Sequence, residues 1–259
     1  MITKEELEKL VEKYENEDFI KNDPVQFTRK YLNEYDIEIA SFVTSCFAYG
    51  NRQVFIAKLK ELFDLIDNKP YDFVMNLDKS KLKNFNYRFA KDYDVIELFA
   101  KLHNLYKNNS SLKKLFEQNF NGDVIFMLQG VCDYFYDGAN LTGGYCHLVP
   151  NPKNGGAMKR LNMFLRWMVR KPPVDLGLWD FIPQSQLYIP LDTHVARISR
   201  ELGLLTRNSN DMKAVIELTE NLKKFDKNDP AKYDFALFGY GIDNPVKSSK
   251  KTVLEPVKV

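Results

Sequence analysis

Two short segments hold the residues best suited to chemistry. The first is Lys159-Arg160-Leu161-Asn162-Met163-Phe164-Leu165-Arg166-Trp167-Met168-Val169-Arg170, preceded by Asn154-Gly155-Gly156-Ala157. A lysine amine is a strong nucleophile once it has lost its proton. Leu161, Phe164, Leu165 and Met168 recur at i, i+3, i+4, i+7, the core stripe of a helix. Lys159, Met163, Arg166 and Arg170 form a second face, cationic and broken by one thioether. A small, glycine-rich turn ahead of a helix lets a phosphate approach backbone N–H groups closely. Asn154, Gly155, Gly156 and Arg160 are therefore candidate contacts to a nucleic-acid backbone. The same pattern also describes a solvated helix with a loop before it.

The second segment is Pro190-Leu191-Asp192-Thr193-His194-Val195-Ala196-Arg197. Asp192 stands just ahead of a helix. As an N-cap it accepts backbone N–H bonds. As a catalytic carboxylate it stays ionised at the positive end of the helix dipole. The two roles are compatible. His194 reads as a satisfied histidine at a helix start.

The elements that must position these residues are helical. The spacing predicts helices over 2–14, one or two over 37–65 with Gly50 as the break, and further helices over 94–106, 112–120 and 123–136. Thr3 and Glu6 form a candidate capping box. A loop rich in Gly, Asn and Pro is expected over 137–156, then helices over 159–169, 193–202, 210–225 and 230–238, with Pro172-Pro173 closing the first of these. Alternation for strands and internal repeats are lacking. The fold class read from this is all-α, in two lobes, since the chain is long for one helical core.

Composition narrows the classes. The 259 residues include 37 Lys+Arg and 35 Asp+Glu, a net charge of +2, with 44% hydrophobic residues, enough to bury a core. No apolar run of membrane-spanning length is present, and the charged start MITKEELEKLVEKYENEDF is not a secretory signal. Three Cys (Cys46, Cys132, Cys146) and three His argue against a disulfide framework, a zinc site or a cysteine-ligated iron–sulfur cluster, so no metal is expected and a reducing cytoplasm fits. The net charge hides a gradient. Residues 1–40 hold 6 basic and 11 acidic side chains, and residues 146–200 hold 8 basic and 3 acidic. Lys247 to Lys258 is a short basic tail.

A lysine after a glycine turn, followed by Leu-Asp-Thr-His-Val-Ala-Arg, resembles the helix-hairpin-helix DNA glycosylase superfamily, whose signature is Gly-x-Lys-x-Ala and then Val-Asp-[Thr/Val]-His-Val-x-Arg. Lys159 matches the lysine and Asp192 the aspartate. The 32 residues between them exceed the spacing of the endonuclease-III-like branch and are similar to the archaeal 8-oxoguanine DNA glycosylase branch. Over roughly residues 24–242 the chain also resembles an uncharacterised bacterial family related to that superfamily. The shared blocks are AYGNR, YRF, FLRWMVR, DLGLW, PLDTHV and YDFALFG.

The resemblance implies two helical lobes with a DNA-binding cleft between them, as one unit over 1–242 followed by the tail 243–259. It implies a monomer, located in the cytoplasm or on the nucleoid, that acts on double-stranded DNA with a damaged base. The activity implied is that of a bifunctional glycosylase and abasic-site lyase for an oxidised purine, 8-oxoguanine first, with no cofactor. Lys159 would attack the sugar and Asp192 would stabilise the charge that develops there. Met163, Arg166, Asp234 and Phe238 would hold the extruded base. Tyr49, Asn51 or Arg52 would fill the gap it leaves, and Phe85, Tyr87 and Arg88 would supply an aromatic wall or a phosphate contact. The alternatives are a DNA-binding module without chemistry, a glycosylase for another lesion, or an interaction protein that uses the Gly/Pro loop and tail.

Overall fold

One helix is buried on every side, Glu34–Phe47 (α3), although it carries Glu38, Ser41, Thr44 and Ser45 among its apolar residues. Each of its residues from Ile37 to Phe47 is buried. The computed structural model describes residues 2–21 and 23–245, and the other helices are arranged about α3. In chain order they are α1 Lys4–Tyr14, α2 Glu17–Ile20, α3, α4 Arg52–Leu65, α5 Pro70–Met75, α6 Asp92–Lys107, α7 Leu112–Asn119, α8 Val124–Tyr136, α9 Gly143–Leu148, α10 Lys159–Val169, α11 Thr193–Glu201, α12 Met212–Lys223 and α13 Tyr233–Asp243. The described residues contain no strand, only isolated bridges between Tyr87 and Ala90 and between Gly156 and Asp211. The all-α reading holds.

Caps set the helix starts. Thr3 and Glu6 form the expected reciprocal box: Thr3 N donates to Glu6 Oε2 at 2.8 Å and Glu6 N to Thr3 Oγ1 at 3.2 Å. Asn33, Asn51, Ser111, Asp123, Thr142 and Asp211 each cap a following helix with a side-chain oxygen. Gly50, at φ +86, is the break between α3 and α4, as expected.

Two expectations are corrected, and three short elements were not expected. Residues 137–156 are not one long loop, because α9 and a 3-10 turn at Pro152–Asn154 lie within them. Their glycines hid this: Gly143 and Gly144 sit inside α9, and a Cβ on Gly144 would meet the Asp94 carboxylate at 2.1 Å. The last helix starts only at Tyr233, after a 3-10 turn at Pro230–Lys232, and runs on to Asp243. The 3-10 turn Pro24–Lys30 and the short helices α2 and α5 carried too few residues for a period to show.

The apolar residues pack into two clusters. The larger gathers α3 to α10 with Tyr14 of α1, Ile20 of α2 and Phe235 of α13, and includes Phe42, Phe135, Phe164, Phe116 and Trp179. The smaller gathers α11, α12 and α13 with Leu7 of α1, so the first helix completes the core of the last three. Among the described residues no helix is long and apolar enough to cross a membrane. The basic tail, Lys247 to Lys258, lies outside the described residues.

Candidate active site

Helix α10 begins at Lys159, and its start is unusual. The residue before it, Met158, has φ 48 and ψ 28. L side chains rarely adopt this left-handed region, and such strain typically costs about 1–3 kcal/mol and collects at functional sites. No side chain caps this terminus in the usual way. Instead Asn162 reaches back from within the helix and donates to Ala157 O at 3.2 Å. The bend brings Lys159 to a cavity of about 870 Å³, within the range of small-ligand sites. Residues of both apolar clusters line it, Met163 and Phe235 from the larger and Leu191 and Phe238 from the smaller.

Lys159 and Asp192 line this one cavity although 32 residues separate them. Lys159 is half-buried, and its Nζ lies 3.5 Å from Met163 Sδ. Burial pushes its amine below the ordinary lysine value. Asp192, Asp23 and Asp234 pull it back up, and Arg160 pushes it further down. Asp192 caps α11, its Oδ1 accepting from Val195 N at 2.8 Å. Both readings of Asp192 made from the sequence are thus geometrically compatible.

Asp23 also lines the cavity and was missed by the sequence reading. Its only local signal is the Asp-Pro pair, which reads as a turn. It does cap the Pro24–Lys30 turn, with Oδ1 accepting from Val25 N at 3.0 Å. It is also 5% exposed, and burial raises its carboxyl pKa against the pull of Arg166, Arg52 and Lys159. No period in the sequence could have placed it opposite α10.

Arg166 and Arg170 do not form the expected open cationic face. Both are buried within an ionic cluster, Arg166 on the cavity wall and Arg170 outside its lining. Arg166 Nη1 pairs with Asp234, and its Nε donates to Asp175 Oδ1 at 3.2 Å. Its guanidinium lies 4.1 Å from the centroid of the Phe235 ring. Arg170 donates to Asp175 at 2.6 Å, Glu15 at 2.7 Å and Asp229 at 2.9 Å. Two buried guanidiniums cannot remain unpaired, so they draw four carboxylates, Asp175 from close by in the chain and Glu15, Asp229 and Asp234 from far away. Asp234 lines the cavity too. Burial pushes its carboxyl up to about 7, Arg166 acting against this and Asp192 with it.

Other expected residues are placed as follows. Phe238 faces the cavity, with the Arg52 guanidinium 4.6 Å from its ring centroid and the His194 ring set edge-on at 5.8 Å. His194 is exposed and lines the cavity rather than being satisfied internally. Tyr49, Asn51 and Arg52 lie on its lining, but Asn51 Oδ1 is engaged as the cap of α4, accepting from Val54 N at 3.2 Å. Arg160 lines the cavity yet is not free for a DNA phosphate. It donates to Cys46 O at 2.5 Å and to His147 O, with its guanidinium 5.0 Å from the Tyr49 ring centroid. Asn154 and Gly155 are exposed outside the lining, and Gly156 is tied to Asp211 by a backbone bridge.

Phe85 and Tyr87 are corrections. Neither lines the cavity, and they are 1% and 3% exposed. Phe85 packs edge-on against Phe47 at 5.9 Å. The Tyr87 hydroxyl bonds to Tyr49 O. Both rings are packed inside the protein, with no face left for a substrate. Cys46 and Cys132 are buried and Cys146 is partly so, all three as free thiols. Among the described residues no group of three or more His, Cys, Asp or Glu is placed to hold a metal ion.

Comparison with known proteins gives a family. A family model described as a protein of unknown function (DUF2400) matches residues 23–243, and the chain belongs to that family. No curated protein and no solved structure matches it.

Proposed function

We propose that the chain is a bifunctional DNA glycosylase and abasic-site lyase for an oxidised purine, with 8-oxoguanine the first candidate. The observation that carries the reading is one cavity lined both by a lysine of depressed basicity and by Asp192, the capping carboxylate of α11. A damaged base cannot react within a duplex, so it is flipped into a pocket at a cost of a few kcal/mol that stacking and hydrogen bonding offset. Met163 and Phe238 offer apolar faces to a flat base, and Asp234 and Arg166 offer polar groups at its edge. The two apolar clusters are the two lobes in this reading, with the cavity on the DNA-binding cleft between them, and the protein acts as a monomer.

The chemistry is a substitution followed by an elimination. The Lys159 amine, once unprotonated, attacks C1′ of the flipped nucleotide. The bond from C1′ to the base breaks, and the base leaves with the electron pair and takes up a proton. Asp192 faces the positive charge that develops on the sugar. The C1′ adduct opens to an imine, a proton leaves C2′, and the 3′ phosphate departs, nicking the strand. Every bond change is supplied by the amine, carboxylates and water, so no cofactor is called for.

The test is incubation with duplexes carrying 8-oxoguanine opposite cytosine, and a panel of oxidised, alkylated and deaminated bases, followed by borohydride. A covalent protein–DNA adduct with 8-oxoguanine is the expected result. The absence of adduct and of strand scission across the whole panel overturns the enzymatic reading.

Two further outcomes follow. Asp192→Asn keeps a capping side chain, so thermal stability should hold within about 1 kcal/mol. Base excision should fall about 100- to 1,000-fold, the usual loss when an electrostatic contact to a transition state is removed. Unchanged single-turnover excision would remove Asp192 from the mechanism. The second outcome concerns pH. Only the neutral amine attacks, so the trapping rate rises with pH through the Lys159 pKa and then levels. Because burial lowers that pKa, the plateau should begin below the ordinary lysine value of 10.5. Asp23→Asn removes a carboxylate that favours the ammonium form, so its profile should move to lower pH. A profile that stays in place would show that Asp23 has no hold on the amine.

A further inference from the structure

Five carboxylates are buried among the described residues: Asp23, Glu38, Asp94, Asp175 and Asp234. Burying a carboxylate is costly unless partners satisfy it, and four of the five have strong ones. Glu38 accepts from Tyr106 Oη at 2.9 Å, from Lys113 N at 3.3 Å and from Trp179 Nε1 at 3.3 Å. Asp94 accepts from Lys91 N at 2.8 Å and from the Thr142 hydroxyl. Asp175 is shared by Arg166 and Arg170, and Asp234 pairs with Arg166. Asp23 differs. Its Oδ1 takes one bond, from Val25 N, and no described residue donates to its Oδ2 or forms an ion pair with it.

This carboxylate lines the cavity, and its backbone is held firmly. Asp23 N donates to Ile20 O at 2.9 Å, and Asp23 O accepts from Gln26 N and from Gln26 Nε2, both at 3.1 Å. Burial raises the Asp23 carboxyl, and Lys159 is among the cations that pull it back. Burial likewise lowers the Lys159 amine, and Asp23 is among the carboxylates that hold it up. The two side chains therefore share one electrostatic neighbourhood. The elimination step needs an acceptor for a C2′ proton in that neighbourhood. In the adduct, C2′ is two bonds from Lys159 Nζ, about 2.5 Å, so a carboxylate close to the amine is close to C2′. The other two candidates on the lining are less suited. Asp192 is half-buried with its Oδ1 engaged by the α11 cap, and Asp234 is tied to Arg166. A buried carboxylate with one oxygen to spare is the stronger base.

We infer that Asp23 is the base of the strand-cleaving step, taking the C2′ proton from the Lys159 adduct, while Asp192 serves base excision. The inference rests on the glycosylase and lyase reading above. In the imine formed by Lys159 and C1′, the Asp23 carboxylate removes one proton from C2′ and becomes a carboxylic acid. The electron pair of that C–H bond forms the double bond between C2′ and C3′. The bond from C3′ to oxygen breaks, and its pair leaves with the 3′ phosphate. Asp23 then gives its proton to water, and water hydrolyses the imine to return the free amine. The two steps thus use different carboxylates, one from each end of the chain.

The test uses a duplex with a preformed abasic site, so that no base has to be excised. Strand scission and borohydride-trapped adduct are measured side by side in single turnovers, each protein at the pH where its trapping has levelled. In Asp23→Asn the ratio of scission to adduct should fall at least about 100-fold, the usual loss when a general base is removed. Asparagine still caps the turn through Val25 N, so the melting curve should match the wild type. With deuterium at C2′, the residual scission of Asp23→Asn should show a primary isotope effect. Its absence would mean that the substitution slowed some other step, and would overturn the inference. If Asp23→Asn keeps the wild-type ratio, Asp23 is not the base and the glycosylase reading stands. If adduct and scission fall together, Asp23 acts only through the amine, and the inference is again overturned. If wild-type protein traps adduct but nicks no faster than Lys159→Ala, there is no elimination to catalyse and only base excision remains. If wild-type protein traps neither this duplex nor any lesion, the glycosylase reading fails and the inference falls with it.

Discussion

Lys159→Ala should abolish the borohydride-trapped adduct and lower base excision by more than about a thousandfold, because the variant has no amine at the cavity to form the covalent intermediate. Duplex binding should survive, since the contacts proposed for the flipped base and the phosphates lie on other side chains. The neighbouring lysines are poor substitutes. Lys153 and Lys171 are exposed and neither lines the cavity. Neither can present an amine to a nucleotide held in that cavity. Lys159→Arg tests the same point in another way. It preserves positive charge but cannot give up its proton at accessible pH, so it too should trap nothing. An adduct of wild-type yield in Lys159→Ala would assign the nucleophile to a different residue and remove the central support of the proposed function.

The second large effect is on stability. Asp175 is fully buried and bridges Arg166 and Arg170, which are themselves buried. Asp175→Ala would leave two guanidiniums short of a counter-charge in the protein interior. Removing one partner of a buried ion pair typically costs about 3–5 kcal/mol. For a chain of this size that is a fall of about 10 °C in Tm, with the midpoint in urea moving in step. Asp18→Ala provides the contrast. It breaks the pair with Lys21, in which both side chains are largely exposed, and the melting curve should not move. If Asp175→Ala melts like the wild type, the cluster is not what holds α10 in place. The cluster also bears on the site, because Arg166 is the ion-pair partner of Asp234 on the cavity wall. Its loss should disturb lesion binding at temperatures where the variant is still folded.

Much of the local structure was legible in the residues. The core stripe of Leu161, Phe164, Leu165 and Met168 gave α10 its observed limits, 159–169. Thr3 with Glu6, and Asp192 ahead of Thr193, were readable as caps because a cap and its helix are neighbours in sequence. The site itself was half legible. Lys159, Met163, Asp192 and Phe238 do line one cavity. The aromatic segment was not legible in detail: Phe85 and Tyr87 face the core, whereas Phe89, with no signal of its own, is the exposed ring. A turn of four residues has no period, so composition does not tell which ring points outward.

The sequence by itself determined the all-α class, most of the helix limits, and the lysine and aspartate that share the lining of the candidate site. These depend on 3.6-residue periodicity and on caps, both of which act within a few residues. The tertiary structure decided the electrostatics. Arg166 and Arg170 lie on the face that reads as cationic, but they share Asp175 close by and reach partners 68 and 155 residues away, at Asp234 and Glu15. Asp23 joins the cavity lining from a distant part of the chain in the same way. Burial sets the strength of a charge and the cost of leaving it unpaired. Burial is a property of the packed molecule, so which cations stay free for a phosphate and which amine can lose its proton were fixed only when distant helices met.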